Sequence, residues 1–93
     1  MSKISQEKEA RIKEEILSLL FHSSPHALYT VFISKDIVRD EEFIKRLLLE
    51  LEKAGLVTAV RKSPKGKDYI RRLKWRLTER AYQAYKEVGV RKL

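Results

Sequence analysis

The spacing of apolar side chains divides the chain into a succession of helices and strands. Over residues 5–21, Ile12, Ile16, Leu19 and Leu20 recur at helical spacing while Glu7, Arg11, Glu14 and Glu15 occupy the other faces. That pattern predicts an amphipathic helix. Ser23-Ser24-Pro25 ends it, because proline cannot continue a helix and drives its predecessor towards extended backbone. Residues 28–33 (LYTVFI) are rich in aromatic and β-branched side chains, the composition of a short strand. Ser34 then stands as the N-cap of a short second helix, residues 35–39, that turns Ile37 and Val38 inward. Asp40 or Glu41 opens a third helix running to Ala54. Gly55 ends it, since glycine enters the left-handed conformation without steric penalty.

On the third helix Ile44, Leu47, Leu48 and Leu51 fall on one face, with Glu42, Arg46, Leu49 and Lys53 opposite and Lys45 and Glu50 at the flanks. Residues 56–62 read as a strand, 63–67 as a turn built on Pro64 and Gly66, and 69–77 as the return strand. On the return strand Tyr69, Leu73, Trp75 and Leu77 share one side, interrupted by Arg71. Ile70, Arg72, Lys74 and Arg76 share the other, so one face is mostly apolar and the other mostly cationic. Thr78 caps a final helix to about Val88 that packs through Ala81, Tyr82 and Tyr85. The order helix-strand-helix-helix-strand-strand-helix is α+β: a helix-turn-helix followed by a hairpin. With no repeat, linker or low-complexity tract, residues 1–93 read as a single domain with its core in about 5–88.

A chain of 93 residues holds one core and no separate catalytic lobe. Hydrophobic residues at 43% beside charged residues at 37% fit an ordered domain with a highly charged surface. The formal charge is +8, and its location matters more than its size. Residues 1–60 are nearly balanced, with nine basic side chains and ten acidic ones. Residues 61–76 carry eight basic side chains against Asp68 alone. So localised a positive field is the footprint of a polyanion binder. The absence of cysteine excludes disulfides and thiolate metal sites. The charged N-terminus does not resemble a signal peptide, and the apolar runs are too short to cross a bilayer, which predicts a cytoplasmic protein that keeps clear of membranes.

The segment LLLELEKAGLV (47–57) and the later Leu77-Thr78 resemble winged helix-turn-helix DNA-binding proteins, especially small MarR- and PadR-like regulators and similar short proteins of archaea and their viruses. The resemblance spans roughly residues 10–88. It implies a recognition helix in the major groove and a basic wing on the backbone or in the minor groove. By position it puts Lys45, Arg46 and Leu49 at base edges and Lys53 near a phosphate. Arg61, Lys62, Lys65 and Lys67 fall on the wing, and Arg71, Arg72 and Lys74 extend the contact along the return strand. Two positions depart from the pattern. The recognition helix starts Asp40-Glu41-Glu42, acids that suit its own dipole but repel phosphates. Arg80 stands where many relatives carry glycine.

Each candidate has a plainer reading beside it. The wing gains affinity by releasing counterions from phosphates, and with one acid among eight bases it has too few partners for a surface ion-pair network. Lys45 and Arg46 either contact DNA or pair with Glu41, Glu42 and Glu50. Leu49 meets a thymine methyl or packs on a neighbouring helix. Trp75, Tyr69 and Tyr29 could stack on bases, but their alternation on strands favours a core role. Tyr82, Tyr85, Val88 and Val90 form an apolar stripe that reads as a homodimer seam, completed by the first helix at Ile12, or as packing within one chain. His22 and His26 are separated by Pro25 with no acid close by, which does not support a metal site. No glycine-rich phosphate loop or nucleophile setting occurs, so neither enzymatic activity nor a cofactor is expected. The sequence therefore predicts a homodimeric transcription regulator that binds double-stranded DNA. A protein-interaction module and an RNA-binding protein are the alternatives.

Overall fold

A computed structural model of the chain describes residues 6–60 and 73–92, with side chains of the last helix described as far as Val88. Its elements follow the predicted order: α1 (Gln6–Ser23), β1 (Leu28–Tyr29), α2 (Thr30–Ile37), α3 (Glu41–Lys53), β2 (Val57–Val60), β3 (Lys74–Leu77) and α4 (Glu79–Lys92). The strands form an antiparallel sheet of order β1-β3-β2, so the last strand lies in the middle. Leu28 pairs with Trp75 on one edge of β3, while Val57 pairs with Leu77 and Val60 with Lys74 on the other. This is a winged helix-turn-helix, with α2 and α3 as the helical pair.

The core is assembled from the predicted apolar stripes. α1 contributes Ile12, Ile16 and Leu20, four residues apart along one face. Ile44, Leu47, Leu48 and Leu51 of α3 close over them, with Ile33, Val57, Trp75, Leu77 and Ala81. Burial of these side chains away from water is the main force holding the helices on the sheet. Among the described residues, no buried side-chain nitrogen or oxygen lacks a hydrogen-bond partner.

The region around β1 departs from expectation. Residues 28–33 do not form one strand: pairing stops at Tyr29 and α2 starts at Thr30. Thr30 makes the switch. Its amide donates to the Leu73 carbonyl at 3.3 Å, and its hydroxyl accepts the indole N–H of Trp75 at 2.7 Å. From there Thr30, Ile33, Ser34 and Ile37 follow a helical period, with the first three buried. Ser34 is accordingly not an N-cap. It lies inside α2, 5% exposed, and its hydroxyl donates to the Val31 carbonyl at 2.9 Å. Ile37 is half-buried as expected, but Val38 ends α2 in the left-handed region (φ 62°) and is 80% exposed, not inward. Trp75 is fully buried, so it is a core residue and no stacking platform; Tyr29 is half exposed, with the Lys74 ammonium 5.4 Å from its ring centre.

The two ends of α3 form as the sequence indicated. The Asp40 carboxylate accepts the Phe43 amide at 3.2 Å, satisfying one of the free N–H groups of the first turn. At the other end Gly55 has φ 81°, its amide bonds the Glu52 carbonyl, and the Leu56 amide reaches back to Leu51. These two bonds are the left-handed termination that glycine favours. A Cβ on Gly55 would also stand 3.1 Å from the Arg80 guanidinium. Gly55→Ala is therefore expected to destabilise the protein by about 1–2 kcal/mol and Gly55→Asn by less, read from urea unfolding midpoints. Equal stability of Gly55→Ala and the parent would contradict this geometry.

Thr78 joins the two halves of the fold. Its hydroxyl donates to the Gly55 carbonyl at 2.9 Å and accepts the Ala81 amide at 3.2 Å, so one side chain caps α4 and ties it to the end of α3. The predicted strand extensions, Arg61 and Lys62 after β2 and residues 69–72 before β3, lie outside the described residues, as does the predicted turn at 63–67.

Candidate nucleic-acid interface

Because four leucine and isoleucine side chains bind α3 to the core, its opposite face is turned to solvent. Glu42, Lys45, Arg46, Leu49, Glu50 and Lys53 line a shallow concavity along that face. Leu49 is 41% exposed, so it is not packed under a neighbouring helix. Lys45 and Lys53 are exposed and form no ion pair among the described residues. Leu49 and Lys53 stand on the face that the periodicity predicted, and Lys45 joins them from its flank.

Arg46 is on the same face in a different state. One terminal nitrogen donates to Glu50 Oε2 at 2.9 Å and the other to Glu9 Oε2 of α1 at 2.9 Å. The guanidinium carbon lies 5.3 Å from the Phe43 ring centre. Lys13 of α1 completes the group, with Nζ 2.9 Å from Glu50 Oε1. The hydrogen bond that Arg46 donates to Glu9 does most to hold its guanidinium above its ordinary range. The hydrogen bond from Lys13 does most to hold the Glu50 carboxyl below its ordinary value, with Arg46 adding less. Since the folded value of Glu50 is depressed, the stability it contributes is present above the ordinary glutamate range and is lost as pH falls through the lowered value. Arg46 and Glu50 are about half open to solvent, so salt screens them.

The pairing of Arg46 with Glu50 is the intrahelical contact the sequence offered as the plain alternative. Glu9 and Lys13 were not singled out from the sequence. Their signal is that Glu9 and Lys13 on α1, like Arg46 and Glu50 on α3, are four residues apart, but only the packing of α1 on α3 brings the two pairs face to face.

Of the remaining cationic candidates, Lys74 and Arg76 lie on β3, Lys74 half-buried beside Tyr29 and Arg76 exposed. Arg61, Lys62, Lys65, Lys67, Arg71 and Arg72 lie outside the described residues. The pairing of Val60 with Lys74 brings the strands flanking that segment side by side.

The predicted seam divides. Ile12 is 4% exposed, in the core of the single chain, and so is not available to a partner. Phe21, at the end of α1, packs against both tyrosines of α4, with ring centres 5.1 Å from Tyr82 and 5.1 Å from Tyr85. Val88 is 54% exposed, at the edge of an apolar groove between α1 and α4 that Leu17, Phe21 and Tyr85 also line. His22 Nδ1 lies 2.8 Å from the Ser18 carbonyl, and among the described residues no group of three or more His, Cys, Asp or Glu side chains is placed to hold a metal. No helix among the described residues is long and apolar enough to cross a membrane.

No family model and no curated protein matches this sequence. Solved structures match by fold. ZitR from Lactococcus lactis, as a variant in its apo form, is 22% identical with a TM-score of 0.69, over 92% of this chain and 60% of that one. The S. aureus MepR–DNA complex is 20% identical with a TM-score of 0.68, over 87% of this chain and 64% of that one. The Zalpha domain of PKZ from Carassius auratus, in complex with Z-DNA, is 20% identical with a TM-score of 0.58, over 75% of this chain and 97% of that one. The chain spans less than two thirds of the length of the ZitR and MepR chains. At these identities the likeness establishes the winged-helix fold.

Proposed function

We propose that this protein binds duplex DNA as a transcription regulator, holding backbone phosphates with the basic segment that follows β2 and presenting α3 to the major groove. The observation that carries this reading is the charge of residues 61–76, eight basic side chains against one acid, which runs from the end of β2 into β3 of a winged helix. Such a segment gains affinity by displacing counterions from phosphates. Lys45, Leu49 and Lys53 stand ready on α3 for groove or backbone contacts. The same fold occurs in the MepR–DNA complex and in the Zalpha–Z-DNA complex, and one neighbour, ZitR, is described as a zinc-responsive MarR family member. A homodimer joined at Val88 and Tyr85 of α4 would address two half-sites one helical turn apart. Nothing in this reading requires catalysis or a cofactor.

Fluorescence anisotropy of a labelled duplex, titrated across salt concentrations, tests the proposal. With most of the basic segment on phosphates, the logarithm of affinity should fall against the logarithm of salt with a slope of about −4 to −6. No binding at low salt, or a slope near zero, refutes it. Displacement by structured RNA ahead of duplex competitor would reassign the partner to RNA.

A further inference from the structure

We infer that Glu9, together with Glu50, acts as an internal competitor for DNA at α3, holding Arg46 in an ion-paired state that DNA must displace before that side chain can contribute. The inference rests on the DNA-binding reading above and concerns how the α3 face is controlled.

The geometry is specific. Both terminal nitrogens of Arg46 are engaged by carboxylates at 2.9 Å, one from its own helix and one from α1. Glu50 is in turn shared with Lys13 at 2.9 Å, which makes a chain of three ion pairs, Glu9–Arg46–Glu50–Lys13, bridging α1 and α3. Two positive and two negative charges make the group neutral, so it offers a phosphate no net attraction. The arginine fork that could hold a phosphate or a guanine edge bidentately is occupied by its own carboxylates. A phosphate that captures Arg46 must also leave Glu9 and Glu50 partly unpaired beside the negative backbone. That exchange weakens binding without removing any contact. Glu9 is the member to remove, because it comes from another helix: Arg46 keeps Glu50, Glu50 keeps Lys13, and alanine suits a helix interior.

The test is a double-mutant cycle read by duplex anisotropy at low salt, on the full chain as wild type, Glu9→Ala, Arg46→Ala and the double variant. Glu9→Ala is expected to bind duplex about 3–10-fold tighter than wild type, with a salt slope steeper by about one, because one more phosphate contact becomes available. In the Arg46→Ala background the same change is expected to give no gain. Unchanged or weaker binding by Glu9→Ala overturns the inference. So does a gain that persists without Arg46, since it would then be a general charge effect. If wild type itself fails to bind duplex at low salt, the DNA-binding reading falls and this one with it; duplex binding by wild type without the coupling overturns this inference alone.

Discussion

Trp75→Ala is expected to remove a large share of the protein's stability. The indole is fully buried, and Trp75 pairs across the sheet with Leu28 on one side and Ala59 on the other. Removing so large a core side chain costs about 3–5 kcal/mol in lost transfer energy and residual cavity. A domain of this size has a total stability of about 5–14 kcal/mol. The change thus consumes a large share of it. Urea unfolding followed by circular dichroism reads the effect as a drop in midpoint with little change in slope. A second variant isolates the hydrogen bond to Thr30: Thr30→Val keeps the shape but leaves the indole N–H buried without an acceptor, at about 1–3 kcal/mol. A loss below about 1 kcal/mol for Trp75→Ala would mean that this position is not close-packed.

The second large effect falls on binding. Replacing Lys62, Lys65 and Lys67 together with alanine is expected to weaken duplex binding about 100- to 1,000-fold at moderate salt. The loss should be the same on every duplex sequence, because phosphates carry no sequence information. The salt slope should become shallower by about three, one for each lost phosphate contact. Anisotropy titrations on several unrelated duplexes read both quantities, and a melting curve of the variant confirms that the chain still folds. An unchanged affinity, or a loss that depends on duplex sequence, would move the phosphate-holding surface away from this segment.

Which features could be read from the sequence follows from how local their causes are. α3 was legible because its stripe, its Asp40 cap and its glycine stop are all written within sixteen residues, from Asp40 to Gly55. Thr78 was legible for the same reason, since its capped amide is three residues away. The start of α2 was not. Whether residues 30–33 continue a strand or enter a helix is decided by Trp75 and Leu73, more than forty positions along, and the local composition pointed the wrong way. At the candidate site, the face carrying Leu49 and Lys53, with Lys45 at its flank, came directly from the period of α3. The state of Arg46 did not, because its second carboxylate lies 37 residues earlier on another helix. Ile12 shows the converse limit: an apolar stripe announces burial but does not say whether the cover is this chain or a second one.

The placement of β3 in the middle of the sheet bears on how such a protein can change the strength of its grip on a polyanion without refolding. Lys74 and Trp75 are registered on one side against Tyr29 and Leu28 and on the other against Val60 and Ala59. β3 is therefore held by β1 as well as by β2. Lengthening that connection carries only a slowly growing entropic cost, about 0.6 kcal/mol for each doubling. A change in the length or charge of that connection is thus expected to cost the fold little while it shifts the affinity for phosphates.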